Sequence, residues 1–360
     1  MLNLILRPMR AQVNKVDFSG QNFYCGIDIH KKNWAVTIET EEMPLKTFTQ
    51  DASPELLVKY LNRNYPGGRY IAAYEAGYFG FTTQRKLVDQ GVECLVINPS
   101  DIPTTHKEKD QKRDPIDSRK IARSLRAGQI SSIWVPPVTV AQDRQLIRTR
   151  KLLVKDRVGT KNRIKAFLQL HGITYPDRFG NQQSHWSRAF INWLEGIQLE
   201  GPSGTEALQS LVRILKHTRD ELVVLSQRIK ELSEDERYHQ AYSKLIAIPG
   251  IGRLTAMTIL TEVGDINRFR NADAFRSYIG LIPRTHCSGE KDYKGRITNR
   301  RSVNLRSLLV EAAWSAIRAD PNYLYIYNQY KKRMETNKAI VRTTRKLTNH
   351  IYFTLREVNR

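Results

Sequence analysis

Cysteine is scarce: Cys25, Cys94 and Cys287 are the only three in 360 residues, widely spaced and without a CxxC pair. That usage suggests neither a disulfide framework nor a zinc site, and it fits a reducing compartment. Long apolar runs are missing too, so nothing in the chain reads as a bilayer span. The N-terminal MLNLILRPMRAQ is apolar only briefly and has no small-residue cleavage site after it, so residues 1–22 read as an arm rather than a targeting segment. Acids are in short supply: 36 Asp and Glu stand against 58 Lys and Arg, a formal net charge of +22. Such a surplus excludes an indifferent surface and attracts polyanions, which points to nucleic acid and, without a spanning run, away from membranes. The expected setting is the cytoplasm, close to nucleic acid. With 40% hydrophobic residues the chain can still fill two packed domains.

What is present begins with strand-like material. FYCGIDIH, WAVTIET and PLKTFTQ are three β-rich runs separated by short polar turns, an antiparallel meander by pattern. SPELLVKYLNRNY has helical spacing, with Ser53 at the N-cap and Pro54 at the first helical position. YIAAYEA and VECLVIN are further strands, TTQRKLVDQG is a helix ending at glycine, and DPIDSRKIARSLRAG opens another helix. The resulting order β-β-β-α-β-α-β-α is that of an RNase H-like domain, over residues 23–138. The double proline of WVPPVTV marks its boundary. The predicted class is therefore α/β followed by α.

Residues 139–240 read as a helical segment. In AQDRQLIRTRKLLVKDRVGTKNRIKAFLQLHG the apolar residues Ile147, Val154, Val158, Ile164 and Leu168 recur near helical spacing, and a basic side includes Arg148, Lys151 and Lys155 as candidate nucleic-acid contacts. A second helix carries Leu208, Leu211, Leu215, Leu222, Leu225, Ile229 and Leu232 close to heptad spacing. This stripe serves equally a hairpin packed on itself and a coiled-coil arm that dimerises and presents a nucleic-acid face. Next comes a candidate third domain over 241–330, entered by IPGIG. In a helix-hairpin-helix turn, glycines such as Gly250 and Gly252 let backbone N–H groups approach a phosphate. A basic helix or tail, 331–360, follows Tyr323, Tyr325, Tyr327 and Tyr330, which suit packing or base stacking.

Four acids in the first domain lack an obvious structural use. Asp28 interrupts an apolar strand, Glu75 ends the fourth strand just before Gly77, and Asp114 and Asp117 face one way at i and i+3 on a helix start. Taken alone, Asp114 before a proline is an ordinary helix cap. Together, acids at these strand ends and on this helix are what a site for one or two magnesium ions requires, to hold attacking and leaving oxygens of a phosphate. Far downstream, RTHCSGEKDYKGRITNRRS sets two candidate nucleophiles, Cys287 and Ser288, before a run of cations that includes Lys294, Arg296, Arg300, Arg301 and, beyond it, Arg306. Those cations suit phosphate contacts.

GIDIHKKNWAV, YEAGYFGF, KRDPIDSRKIA, IPGIG, GLIPR with SGE and GRIT, and LRSLLVEAAW, in that order, resemble the DEDD transposases of the insertion-sequence one-ten family, relatives of the pilin-gene invertases. The likeness runs from about Tyr24 to Arg356. It implies a RuvC-like domain with Asp28, Glu75, Asp114 and Asp117 as the DEDD acids, a coiled-coil segment, and a C-terminal domain whose serine nucleophile falls on Ser288. It also implies magnesium, donor and target double-stranded DNA, a structured bridge RNA that selects both, and a homo-oligomer, a dimer of dimers. Two alternatives to a guided recombinase are a magnesium-dependent, junction-resolvase-like nuclease that needs the acids but no serine, and a non-catalytic nucleic-acid scaffold. Ser118, where the family commonly has Ala after its fourth acid, is a departure.

Overall fold

The computed structural model describes residues 16–103, 114–288, 291–298 and 302–358; of residues 114, 284–288, 291–296 and 303 it describes the backbone alone. The chain divides into two compact units, 1–135 and 136–360, at the double proline Pro136–Pro137.

The first unit is a five-stranded mixed sheet. Strands β1 (Asn22–Ile29), β2 (Asn33–Glu39) and β3 (Pro44–Asp51) form the antiparallel meander, and β4 (Arg69–Glu75) and β5 (Glu93–Ile97) extend it in parallel, in the order β3-β2-β1-β4-β5. Period-two alternation sends Phe23, Cys25 and Ile27 of β1 to one face. There they pack with Leu57 and Leu61 of α1 (Pro54–Asn64) and Leu87 of α2 (Thr82–Asp89). Ser53 caps α1 by accepting from the Leu56 N–H at 3.2 Å, and Pro54 opens it.

The opposite face is covered by α3 (Asp114–Arg126), whose Ile121 and Leu125 pack with Ala73 and Ile97. Gly26 decides how close α3 can come. A Cβ on it would stand 2.1 Å from the Ser118 carbonyl oxygen and 2.4 Å from the Ala122 nitrogen, so only hydrogen fits between strand and helix. The Ser118 hydroxyl, the departure noted in the sequence, bonds Thr37 Oγ1 at 2.8 Å across this buried contact.

The second unit is mostly helical. Two 33-residue helices, α4 (Val138–Leu170) and α6 (Pro202–Glu234), run antiparallel, because Arg150 bonds Ser226 while Ile164 and Leu168, further along α4, share a cluster with Leu208 and Val212 near the start of α6. Leu208, Leu215, Leu222 and Ile229, seven residues apart, are all buried. The leucine stripe thus serves core packing within this chain, although Val158 of α4, placed by periodicity with the apolar side, is 49% exposed. The short α5 (Arg188–Glu195) closes one end through Phe190, Ile191 and Leu194. Helices α7 (Glu236–Ile246), α8 (Arg253–Val263), α9 (Ala272–Ile279), α10 (Val303–Ala319), α11 (Pro321–Lys331) and α12 (Thr336–Val358) share one core built on residues such as Leu245, Met257, Leu309 and Leu347. Between α9 and α10 lies a hairpin of β6 (Pro283–Ser288) and β7 (Lys291–Ile297). Among the described residues no helix is long and apolar enough to cross a membrane.

Candidate active site

The acid-bearing positions of the first unit converge through backbone register. β1 and β4 are parallel with Ile27 paired to Tyr74, so one step on Asp28 and Glu75 occupy equivalent positions on adjacent strands. Both belong to the face that carries Gly26 and Ala73, the face under α3. The direction of α3 follows from its two ends. Its last residue, Arg126, reaches Glu39 at 3.3 Å, and Glu39 lies beside Tyr24 near the start of β1. Ser118 sits over Gly26, so the beginning of the helix, with Asp114 and Asp117, points towards the end of β1 where Asp28 stands. Two strand ends and one helix start therefore bring the acid positions to the same edge of the sheet.

Side-chain partners add two residues that the sequence reading did not single out. His30 Nε2 lies 3.3 Å from Asp28 Oδ2, and Lys120 Nζ lies 3.0 Å from Asp117 Oδ1. Their signals were spacing: two residues along a strand and three along a helix both return to one face. The Lys120 side chain is only 11% exposed, so it gives Asp117 a close counter-charge in a partly desolvated place. Among the described residues no three His, Cys, Asp or Glu side chains already form a metal-ligand set. The side chain of Asp114 falls outside the described residues. The donor chemistry nevertheless suits a hard divalent cation, because the positions supply carboxylate oxygens from rigid elements.

The candidate nucleophile lies in the second unit. Ser288 ends β6 and pairs in register with Lys291, and Cys287 pairs with Asp292. Lys294 and Arg296 belong to β7, while Arg300 and Arg301 lie outside the described residues. The base of the hairpin is tied to the helices: Thr298 N donates to the Ile282 carbonyl, and Arg306 of α10 donates to the Thr298 carbonyl. Arg306, a candidate for nucleic acid, is thus engaged in holding the hairpin.

Three other candidates have internal partners. Arg148 makes a two-pronged pair with the buried Glu262, at 2.7 Å to each carboxylate oxygen. Burial alone would raise the Glu262 carboxyl, but the hydrogen bonds and charge of Arg148, helped by Asn304 and Arg144, outweigh it and hold the group below the usual carboxylate range. Asn304 Nδ2 donates to Glu262 at 2.8 Å, and Lys151 donates to Asn304 Oδ1 at 2.8 Å. This network anchors α4, α8 and the start of α10 to one another. Lys155 remains exposed on α4. Gly250, at φ +83°, faces α10: a Cβ there would stand 2.4 Å from the Ala312 carbonyl oxygen and 2.6 Å from the Ala316 nitrogen. Close helix packing accounts for that glycine, whereas Gly252 has open space beside it at the N-cap of α8. Tyr323 and Tyr327 of the tyrosine-rich run are buried in packing, and Tyr325 is exposed. His185 serves packing, since its Nε2 bonds the Phe179 carbonyl at 2.8 Å and its ring packs on Tyr175 and Phe190.

Comparison with known proteins now supplies the class, insertion-sequence transposases. A DEDD transposase profile matches residues 25–173, and a profile described as "Transposase IS116/IS110/IS902 family" matches residues 242–328. The transposase for insertion sequence element IS1328 of Yersinia enterocolitica is 31% identical over 249 residues, which are 68% of this chain and 70% of that protein. That for element IS1111A of Coxiella burnetii is 29% identical over 259 residues, 71% of this chain and 67% of that protein. The Sinorhizobium fredii protein y4qE is 31% identical over 244 residues, 67% of this chain but only 57% of its own length. The chain belongs to the IS110/IS116 family of transposases.

Proposed function

We propose that the chain cuts and rejoins donor and target double-stranded DNA through a transient serine–DNA phosphodiester. The observation that carries this reading is the convergence of the Asp28, Glu75 and Asp117 positions at the edge of a mixed sheet, in a chain of a transposase family. The sheet order and the helix over its face are those expected of an RNase H-like domain. Asp28, Glu75, Asp114 and Asp117 would hold magnesium, one ion or two, which supplies Lewis-acid stabilisation of phosphate charge when bound. His30 and Lys120 position two of these carboxylates through the contacts described.

The Ser288 hydroxyl is a weak nucleophile until its proton is taken, and in this reading a carboxylate of the set is the acceptor. A bond forms between Ser288 Oγ and phosphorus, the bond to the 3′ oxygen breaks, and the 3′ hydroxyl leaves with a proton. The ester retains the bond energy, so a second 3′ hydroxyl can reverse the step on another strand without ATP. Lys294, Arg296, Arg300 and Arg301, next to Ser288 in the sequence, serve the phosphate oxygens. The acids and the serine belong to separate compact units, which fits a reaction in which an oligomer assembles the site from different protomers. A structured guide RNA is the partner that would choose the sites, and the net charge of +22 supports binding both polymers.

The test is capture of a covalent adduct on labelled DNA in magnesium. Ser288→Ala should give no adduct and no strand exchange, and Cys287→Ala should keep both; the reverse pattern sinks the assignment. Cleavage without any adduct would establish the nuclease alternative instead. Asp28→Asn should lose magnesium-dependent cleavage while still binding RNA.

A further inference from the structure

The second unit contains a cationic cleft that the proposed chemistry does not use. It encloses about 870 Å³ between the middle of α4, the facing part of α6 and the starts of α5 and α8. Arg150, Arg157, Arg188, Lys216, Arg219 and Arg253 line it, and Asp220 is the only acid among the described lining residues. Arg150 and Arg157 are seven residues apart on α4, and Lys216 and Arg219 three apart on α6, so each pair shares a helix face.

Few of these charges are compensated. Lys216 pairs with Glu195 at 2.7 Å. Arg150, Arg219 and Arg253 instead donate to neutral groups, the Ser226 hydroxyl at 2.9 Å, the Trp186 carbonyl at 3.3 Å and the Tyr242 hydroxyl at 3.3 Å. Arg157 Nε is buried and has no hydrogen-bond partner among the described residues. The cations also disfavour one another. Arg150 is pushed down by burial and then by the charge of Arg157, and Lys161, one turn beyond Arg157 on α4 and outside the cleft lining, by burial and then by Arg157, Arg219 and Lys165. Packing like charges into a partly desolvated groove costs free energy unless an anion completes it. By contrast, Arg148 and Arg144, nearer the start of the same helix, share the buried Glu262 carboxylate. The contrast marks the cleft as built for a ligand rather than for stability.

We infer that this cleft binds the phosphodiester backbone of a nucleic-acid strand, with Arg157 and Arg219 as its central forks. Guanidinium forks match phosphate oxygens in two-pronged geometry. The cleft is partly open to solvent and lined by cations from four helices, which suits a segment of a polyanion rather than a small enclosed metabolite. The idea deepens the nucleic-acid reading above and rests on it for the choice of polymer, yet it needs neither the acids nor Ser288.

The experiment measures binding of the full chain to a labelled mixed-sequence RNA oligonucleotide and to a labelled DNA duplex across a salt series. Arg157→Gln/Arg219→Gln is compared with Lys230→Gln/Lys338→Gln, which removes the same charge from exposed positions. The cleft variant should lower the slope of log affinity against log salt by about 1.4 on single-stranded RNA or about 1.8 on duplex DNA. Whichever polymer shows the loss is the one the cleft holds. The control pair should change the slope by less than half as much. Equal losses in the two variants, or none, overturn the inference. Relief of repulsion should leave the melting temperature of the cleft variant at or above the wild-type value without ligand. If that variant fails to fold, lysine acylation of the wild-type protein decides: bound polymer should shield Lys216 and leave Lys230 reactive, and equal labelling of both refutes the site. Loss of cleavage in Asp28→Asn with intact salt slopes would separate the fate of the catalytic reading from this one.

Discussion

Gly26→Ala is the substitution that links packing to catalysis most directly. The added methyl would be placed 2.1 Å from the Ser118 oxygen and 2.4 Å from the Ala122 nitrogen, both backbone atoms of α3. No rotamer relieves a backbone clash, so the helix must retreat by about 1 Å to restore an ordinary contact. That retreat stretches the 2.8 Å bond between Ser118 and Thr37 and loosens Ile121 and Leu125 against the sheet. Overpacking of this kind costs about 1–3 kcal/mol. At roughly 4 °C per kcal/mol for a unit of this size, the melting temperature of the first unit should fall by about 4–12 °C. The same shift carries Asp114 and Asp117 away from Asp28 and Glu75, and misplacement of about 1 Å commonly costs on the order of 100-fold in rate. The assay is magnesium-dependent strand cleavage at a temperature where circular dichroism shows the variant folded. A Gly26→Ala protein with wild-type melting and wild-type cleavage would refute the argument that this glycine sets the height of the acid-bearing helix.

Glu262→Gln removes the charge that Arg148 and Arg144 share in a buried place, and should destabilise the second unit by about 3 kcal/mol, read as a fall in the denaturant midpoint. Because the Glu262 carboxyl is depressed in the folded chain, its stabilising contribution is present above the unfolded carboxylate range and is lost as pH falls through the lower folded value. The wild type should therefore lose stability on acidification more steeply than Glu262→Gln, and parallel pH curves would count against the network. Gly250→Ala combines a positive φ with a clash against α10, so unfolding experiments should show a loss of about 2–4 kcal/mol; wild-type stability with weakened nucleic-acid binding would instead restore a phosphate role for that turn. Burial pushes both Cys25 and Cys94 up to about 12, so a thiol reagent at mild alkaline pH should leave them unmodified in the folded chain and label them in denaturant; rapid native labelling of Cys25 would contradict its place in the core.

Much of the fold was legible because local patterns carried it. The meander, the Ser53 cap and the five strands follow from alternation and turn residues, and tertiary packing agrees with them. The acids stood out for a related reason: a carboxylate in an apolar strand contradicts its surroundings, and Asp28 and Glu75 each do so. Helix faces were harder to read. The leucine stripe of α6 had two possible partners, and only the antiparallel α4 showed that it is occupied within the chain. Arg148 and Gly250 were read as nucleic-acid contacts because a cation or a flexible turn looks alike whether it meets a phosphate or a neighbouring helix. Glu262, 114 residues away, decided the first, and the backbone of α10 decided the second.

The sequence by itself determined the element order of the first unit, the surplus of positive charge and which carboxylates lack a structural excuse, since each of these depends on neighbours within a few residues or on a sum over the chain. Tertiary structure alone decided which charges are spent internally and which are left for a partner. Arg148 and Arg157 lie two and a half turns apart on one helix and are indistinguishable by composition, yet one is locked to a buried carboxylate and the other faces a groove of like charge. The physical reason is that the energy of a charge depends on the distance to its counter-charge and on the water it keeps, and both are set by packing between segments remote in the chain.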